Sequence, residues 1–345
     1  MKWRLSVGEI LKALGNPEVR GTYDGEITGV ADLRSASNGE IAFLSSGKYA
    51  RFLAGSKAAV VIIPQNHEGQ PPAGSMWIPA PDPSLALGKV CQLIKLRIQP
   101  PPPPGIHETA TIDETARIDP SASIGPYCLV GPRAVIGPRV VLESHVRIEQ
   151  EAEIGEDSLL QHGAVVGWSC RIGKRCRLFS SAVIGSDGFG YHSDQQGHQH
   201  LPQIGIVVVE DDVDIGSNSS LDRARFSETR IGQGTKIDNQ VQIGHNVILG
   251  KHCIICAGVG ISGSTEVGNF VIMAGQVGVA GHIKVGDGVI ATGQTGITKD
   301  TPAGTVLMGT PGRPRSEELR RLAQLGQLPD IVARLKRLEE NLSGD

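Results

Sequence analysis

Aromatic residues are scarce in this chain of 345 residues, because Phe, Trp and Tyr together make up only 4% of it. Glycine shows the opposite bias, with 45 residues, nearly twice the usual share of about 7%. A protein with few rings and many glycines is not built around large aromatic side chains. We expect narrow, repeated turns around an aliphatic interior instead.

Long apolar runs are also missing, and their absence excludes a membrane span of roughly 18 apolar residues. The first residues, MKWRLSVGEILKALG, alternate charged and apolar side chains, which argues against a signal peptide. A net charge of −3 gives no indication of a nucleic-acid partner. The six cysteines include one CxxC pair, Cys253 and Cys256, and no second pair for zinc. We therefore expect a cytoplasmic protein with reduced, half-buried thiols, without redox chemistry or a metal site.

The first hundred residues mix strand and helix patterns. Residues 58–63, AAVVII, predict a buried strand that ends at Pro64, and residues 83–98 have apolar side chains at helical spacing. Five consecutive prolines follow and form a stiff, extended spacer. These features predict an α/β domain over residues 1–99 and a linker over residues 100–105.

A period of six begins after the linker. Apolar residues recur at every sixth position over residues 112–184, 209–221 and 231–297. This period is neither helical nor a simple alternation, and it is typical of the hexapeptide repeats of a parallel β-helix. The repeated residue points into a triangular prism, and the glycine that often follows it is expected to supply a tight bend. We predict a mainly β fold, a left-handed parallel β-helix over residues 106–312, its handedness taken from known hexapeptide proteins.

The chain ends in a helical pattern over residues 313–345. Apolar residues within it recur at spacings of four and three, as in a coiled coil. The stripe consists of Ile331, Leu335, Leu338 and Leu342. So narrow an apolar stripe requires a partner helix, and together with a triangular prism it predicts a homotrimer.

Two residues stand out on the repeat because three hexapeptides close one coil of 18 residues. His245 and Gly263 are 18 residues apart, so they stack on consecutive coils at one edge. An imidazole beside a backbone N–H suits acyl transfer, since it provides a general base and an oxyanion donor. His282 falls near the same edge, and a solvent-exposed turn is the alternative for both histidines. A zinc site of the carbonic anhydrase kind would also need His252, which occupies a different phase.

Two further groups of residues have alternative interpretations. His192, His198 and His200 cluster in an irregular insert, where a solvent-exposed loop is favoured over a metal site. Phe43 and Tyr49 flank a Ser–Ser–Gly–Lys turn, and their rings would stack on a flat base if they were exposed. On the residues alone, ordinary core packing is favoured for these two rings.

Six segments resemble one known family. They are FLSSGKY, AAVVI, GSDGFGY, PQIGIVVVEDDVDIGSNSSLDRA, IDNQVQIGHNV and AGHIKVGD. They are similar to segments of the UDP-3-O-(3-hydroxyacyl)glucosamine N-acyltransferases of lipid A (lipopolysaccharide) biosynthesis. The resemblance implies that His245 is the catalytic base and that the Gly263 N–H binds the oxyanion. It implies that His282 lies near the sugar and the acyl carbonyl, and that Asn239 and Asn246 line the same groove.

The resemblance also implies a nucleotide site and a reaction. Phe43 and Tyr49 would sandwich uracil, with Ser46 at a polar position between them where some members have Asn. A 3-hydroxyacyl chain would move from acyl carrier protein to the 2-amine of UDP-3-O-(3-hydroxyacyl)glucosamine, without a cofactor, in grooves between the prisms of a homotrimer. The product would be UDP-2,3-diacylglucosamine. Candidates for contacting the acidic carrier protein are Arg313, Arg315, Arg320 and Arg321.

Two other functions remain open at this point. One is a different hexapeptide acyl- or acetyltransferase that acts on a nucleotide sugar. An O-acyltransferase acting earlier on the same sugar nucleotide would lack the N-terminal domain and the proline spacer, which this chain has. The other is a β-solenoid without catalysis, in which His245 would be replaceable without consequence.

Overall fold

The computed structural model describes residues 3–309 and 315–342. It divides into two compact units, Met1–Pro102 and Pro103–Asp345. Each unit has its own hydrophobic core.

The first unit is a small α/β structure. Its elements are β1 (Leu5–Ser6), α1 (Val7–Ala13), β2 (Arg20–Gly21), β3 (Glu26–Ile27), β4 (Gly29–Val30), β5 (Glu40–Phe43), a 3₁₀-helix (Gly47–Phe52), β6 (Val60–Pro64), β7 (Met76–Ala80) and α2 (Pro83–Ile98). Five strands form one sheet in the order β2-β7-β6-β5-β4. The helix α2 begins after Asp82, whose carboxylate accepts the Leu85 N–H at 2.9 Å, with Pro83 at the first helical position. The strand and the helix predicted here are confirmed.

The second unit consists of two-residue to four-residue strands separated by turns. Before the insert they are β8 (Gly105–Ile106), β9 (Thr111–Ile112), β10 (Arg117–Ile118), β11 (Ser123–Ile124), β12 (Leu129–Val130), β13 (Val135–Ile136), β14 (Val141–Leu142), β15 (Arg147–Ile148), β16 (Glu153–Ile154), β17 (Leu159–Leu160), β18 (Val165–Val166), β19 (Arg171–Ile172), β20 (Arg177–Leu178) and β21 (Val183–Ser186). The insert is a hairpin of β22 (Tyr191–Asp194) and β23 (Gly197–His200).

The strands resume after the insert and are followed by two helices. They are β24 (Ile206–Val209), β25 (Asp214–Ile215), β26 (Ser220–Asp222), β27 (Glu228–Ile231), β28 (Lys236–Ile237), β29 (Gln242–Ile243), β30 (Ile248–Leu249), β31 (Ile254–Ile255), β32 (Gly260–Ile261), β33 (Glu266–Val267), β34 (Ile272–Met273), β35 (Gly278–Val279), β36 (Lys284–Val285), β37 (Ile290–Ala291), β38 (Gly296–Ile297) and β39 (Val306–Leu307), then α3 (Arg315–Gly326) and α4 (Leu328–Leu342).

These strands form the three faces of a prism, with sheets of nine, ten and eleven strands. Each strand pairs in parallel with the strand one coil away, as Ile243 pairs with Ile261 and Ile261 with Val279. The predicted inward residues from Ile124 to Ile297 are all buried in one continuous core. The six-residue period is therefore the spacing from one face to the next.

A second buried position lies two residues before each inward residue and holds small side chains. Four of the six cysteines occupy it, and each of the four is at most 1% exposed. They are Cys128, Cys170, Cys176 and Cys253. Burial raises the pKa of these thiols, in the case of Cys176 to about 11. They fill the core and are poor nucleophiles, and all six cysteines are free.

Most glycines that follow the inward residues have a different role from the expected one, although one of them, Gly185, does have a positive φ of 92°. Gly125 does not have a positive φ, so the prediction that it supplies a tight bend is wrong. A Cβ at Gly125 would lie 2.9 Å from the Leu142 carbonyl oxygen on the next coil, so glycine is needed there for close approach. The left-handed bends occur two residues later, for example at Tyr127 (φ 58°) and Arg133 (φ 55°).

The two C-terminal helices expose their apolar stripe. The four predicted stripe residues are 43% to 82% exposed. Among the described residues, no helix is both long and apolar enough to cross a lipid bilayer.

Candidate active site

A cavity of about 840 Å³ opens at one edge of the prism. Its residues come from the ten-stranded sheet, from the turns that lead out of it, and from the insert. They are Asp187, Gly188, Phe189, Tyr191, His200, Asp222, Gln242, Gly244, His245, Gly260, Ile261, Ser262, Gly263, Gly278 and Val279. The cavity therefore contains the predicted pair, His245 and Gly263.

The half-buried imidazole of His245 lies directly against Gly263. A Cβ at Gly263 would be 2.8 Å from both Cε1 and Nε2 of the ring, so only glycine leaves the ring room. Among the described residues, the Gly263 N–H has no hydrogen-bond partner. On other coils the equivalent N–H is capped by a side chain, as Lys251 is by Asn269 at 2.8 Å. The Gly263 N–H is therefore available to a ligand beside the imidazole.

Asn246 determines which ring nitrogen of His245 carries the proton. Its Oδ1 accepts the Arg225 N–H at 3.0 Å and its Nδ2 donates to the Phe226 carbonyl at 3.0 Å, so the amide has one possible orientation. The same Oδ1 lies 3.2 Å from Nδ1 of His245. An acceptor at that position requires a proton on Nδ1, which leaves Nε2 unprotonated in the neutral ring. The basic nitrogen is thus the one that faces Gly263.

The insert forms a wall of the cavity. Gly188 packs so closely on His245 that a Cβ there would lie 2.7 Å from the Cβ of the histidine. Arg223 is 1% exposed and holds both ends of the insert. Its guanidinium donates hydrogen bonds to the carbonyl oxygens of Gly185 at 2.9 Å and of Gly205 at 3.2 Å. Its guanidinium also lies 3.8 Å from the centre of the Trp168 ring. The three histidines of the insert are exposed, as predicted, but Gly188 is buried against His245.

The insert histidines do not act as a group. His192 and His198 are exposed on the hairpin, whereas His200 lines the cavity. Across the described chain, no three His, Cys, Asp or Glu side chains are arranged to hold a metal ion.

Sequence reasoning missed Asp222 and Ser186. Asp222 is 7% exposed, lines the cavity and accepts a hydrogen bond from the Ser186 hydroxyl at 2.8 Å. The available signal was a polar residue directly after the inward Leu221, but nothing in the period distinguishes it from a solvent-exposed turn residue.

The other predicted site residues of the prism lie at two different corners. His282 lies at the same corner as His245, where the chain leaves the ten-stranded sheet for the nine-stranded one, and its N–H donates to the Gly263 carbonyl at 3.2 Å. Its side chain is exposed outside the cavity lining. Asn239 lies at another corner, between β28 and β29, so one chain does not bring it into the groove of His245.

The predicted nucleotide residues lie in the first unit. Phe43, at the end of β5, is half-buried against the core, whereas Ser46 and Tyr49 are exposed beside it along the chain. Tyr49 is 46% exposed and lies in the 3₁₀-helix. Phe43 is therefore partly packed in the core, as the alternative interpretation expects, whereas Tyr49 is not.

The prism of hexapeptide repeats and its cleft define a hexapeptide acyltransferase. A family model described as UDP-3-O-(3-hydroxymyristoyl) glucosamine N-acyltransferase matches residues 24–93. Models of the GMPPB C-terminal domain and of bacterial transferase hexapeptides match residues 106–188 and 228–263. The UDP-3-O-acylglucosamine N-acyltransferase of Methylacidiphilum infernorum is 51% identical over 98% of this chain and 93% of its own length. That of a Geobacter species is 54% identical over 97% and 95%. The chain belongs to the UDP-3-O-acylglucosamine N-acyltransferase family, and it is an N-acyltransferase.

A solved structure shares the fold. The Arabidopsis UDP-N-acetylglucosamine acyltransferase superposes with a TM-score of 0.53 at 23% identity, over 63% of this chain and 76% of that one. The predicted fold class is confirmed: a mainly β chain with a left-handed parallel β-helix, a small N-terminal α/β unit and C-terminal helices.

Proposed function

We propose that this N-acyltransferase moves a 3-hydroxyacyl chain from acyl carrier protein to the 2-amine of UDP-3-O-(3-hydroxyacyl)glucosamine, giving UDP-2,3-diacylglucosamine. His245 is the general base and the Gly263 N–H is the oxyanion donor. One observation carries this assignment: Asn246 leaves Nε2 of His245 as the basic nitrogen, and that nitrogen faces Gly263. The activity after which the relatives are named supports the acceptor, a UDP-3-O-acylglucosamine, and nitrogen as the acylated atom.

The proposed chemistry needs only these two groups. The neutral amine attacks the thioester carbonyl, a C–N bond forms, and Nε2 of His245 takes the proton that the amine loses. The carbonyl oxygen becomes negative and accepts the Gly263 N–H. When the C–S bond breaks, the thiolate leaves and takes the proton from the imidazolium. The enzyme thus returns to its starting state.

A row of glycines supports an extended donor arm. Gly260, Gly278 and Gly296 follow one another in register on the outer face of the ten-stranded sheet. A Cβ at any of them would meet nothing within 4 Å, so packing does not require glycine there. Glycine weakens a strand, and its presence at three stacked positions fits a site where a ligand lies against the backbone. Gly260 and Gly278 also line the cavity of His245.

Exposed apolar surface supports a homotrimer with grooves between its prisms. One row of outward residues on the eleven-stranded sheet is 36% to 65% exposed. It consists of Ile254, Ile272, Ile290 and Val306, in register. With the stripe of α4, it offers an unpaired surface to further copies of the chain. In such an assembly Asn239 of one chain would contribute to a groove at a neighbouring chain.

The carrier protein is acidic, so a basic docking surface is proposed at the C-terminal helices. Arg320 and Arg321 are exposed on α3. Arg313 lies outside the described residues, as does the side chain of Arg315.

We propose the cytoplasm as the site of action, because free cysteines persist in a reducing compartment.

The test is an acyl-transfer assay on the protein whose mass in solution has first been measured by light scattering. We expect a mass three times the 36.4 kDa of one chain. We expect transfer from 3-hydroxyacyl carrier protein to UDP-3-O-acylglucosamine at a kcat/KM at least about tenfold above that with the same acyl chain on coenzyme A. Equal rates with the two donors would contradict the carrier-protein assignment, and a monomeric active enzyme would contradict the trimer.

We also propose residues 1–99 as the uridine-binding domain, with uracil between Phe43 and Tyr49 and Ser46 at its polar edge. Tyr49→Ala is expected to raise the Kd for UDP about tenfold, because a stacked base contributes about 1–3 kcal/mol. Isothermal titration calorimetry with UDP measures this. Tyr49→Phe keeps the ring and is expected to bind UDP like the wild type. An unchanged Kd in Tyr49→Ala would remove this residue from the site.

A further inference from the structure

Asp222 is a carboxylate buried in the cavity, and the described part of the chain places no cation beside it. It ends β26, one coil away from β29, with Leu221 opposite Ile243 in the ladder, so it lies next to the turn that bears His245. It is 7% exposed, and among the described residues no basic nitrogen lies within 4.0 Å of it. The Ser186 hydroxyl donates to it at 2.8 Å, and the side chain of Gln242 is a second partner.

Burial of such a group opposes folding. A carboxylate loses its hydration in this position, and two neutral hydrogen-bond partners replace that hydration only in part. An amide of the same shape would fit the same partners at lower cost. Burial accordingly raises the pKa of Asp222, and the charge of His245 is among the influences that lower it again. An ionisable group kept at a site where it destabilises the fold points to a functional role.

The other charged groups at the cavity are already compensated. Asp187 lies 3.7 Å from both the Arg223 and the His200 side chains, and it is half exposed. Tyr191 has its ring against that of His200. Asp222 therefore contributes the uncompensated negative charge in the part of the cavity next to His245.

We propose that Asp222 is a positioning residue for the reaction: its buried carboxylate stabilises the imidazolium form of His245. This rests on the proposed function, in which His245 holds the amine proton until the thiolate leaves. By the reciprocity of charge interactions, a carboxylate that favours the imidazolium raises the basicity of Nε2. It also lowers the free energy of the transition state, in which the positive charge develops.

The experiment is Asp222→Asn, with two readouts. Loss of the negative charge disfavours the imidazolium, so the pKa of His245 is expected to fall by about one unit, followed by NMR titration of labelled histidine. The acid limb of kcat/KM, which rises as His245 loses its proton, is expected to move to lower pH by the same amount. The plateau of kcat/KM is expected to fall about tenfold because the base is weaker. The melting temperature is expected to stay the same or rise, since a buried charge is removed.

The matched control is Glu143→Gln. Glu143 also lies beside a histidine, 3.0 Å from Nε2 of His162, but outside the cavity. It is expected to leave the kcat/KM profile unchanged. Asp222→Ser, which removes the charge and puts a small hydroxyl in the place of the carboxylate, replaces the amide variant if that one does not fold.

Two results are decisive in different ways. An unchanged His245 pKa in folded Asp222→Asn overturns this inference. Full activity in His245→Ala overturns the proposed role of His245 instead, and the NMR titration still reports whether the two groups are coupled. The two failures are therefore distinguishable.

Discussion

His245→Ala is expected to lower kcat for N-acyl transfer by about 10²–10⁴-fold, the range for loss of a positioned general base. The reason is the proton on the attacking amine. The neutral amine loses a proton as it attacks, and Nε2 of His245, which lies beside Gly263, is the unprotonated ring nitrogen placed to accept it. The KM for UDP-3-O-acylglucosamine is expected to change little, because the nucleotide is proposed to bind elsewhere.

The control for this variant is His252→Ala. His252 lies at another corner of the prism, exposed and stacked on Phe270 with ring centres 5.2 Å apart. Its removal is expected to leave kcat unchanged. Both variants are compared by steady-state kinetics after their oligomeric mass and circular dichroism have been shown to equal those of the wild type. A folded His245→Ala enzyme with the rate of the wild type would exclude His245 from the chemistry.

Gly263→Ala is expected to lower kcat by about 10²-fold, the cost of displacing a catalytic group by about 1 Å. The new Cβ would lie 2.8 Å from Cε1 and Nε2 of the His245 ring, which is too close for a real contact. The ring has to move, although the Gly263 N–H itself remains. The matched control is Gly275→Ala, at the same position of another turn, where a Cβ would meet only the Ala257 carbonyl oxygen at 3.5 Å.

A double-mutant cycle shows whether the steric explanation is right. In a His245→Ala background there is no imidazole for the new Cβ to displace. The second substitution is then expected to change kcat by less than about twofold, so the two effects are strongly non-additive. Additive losses would mean that Gly263→Ala acts through the oxyanion position or the fold and not through the ring.

The repeat was predictable because its signal is local and redundant. An inward residue at every sixth position specifies the face of the prism at each strand. A small inward residue such as Ala291 is identified by its place in the period, although its side chain alone gives little signal. The helix Pro83–Ile98 was equally predictable from the sequence, since an aspartate cap and a proline stand at its start, before its apolar face. The role of the glycines could not be predicted from the sequence, because a close approach between coils and a tight bend give the same sequence pattern.

Half of the candidate site could be predicted from the sequence because it also depends on the regular repeat. The coil of 18 residues places His245 and Gly263 one above the other, so their proximity follows from counting. The family resemblance, and not counting, grouped Asn239 with His245. The two are six residues apart, and in one chain the prism places them at different corners. Counting also gave no reason to single out Asp222.

The sequence by itself determined the β-helix, its repeat and the stacked pair at one edge, since each depends on spacing along the chain. Only the tertiary structure decided the chemistry of that pair. The amide of Asn246 has its orientation from two backbone groups at Arg225 and Phe226, and through it the tautomer of His245 is defined. The insert covers the imidazole because a buried arginine holds both of its ends. Such contacts join residues whose separation in sequence follows no period, so only the folded chain brings them together.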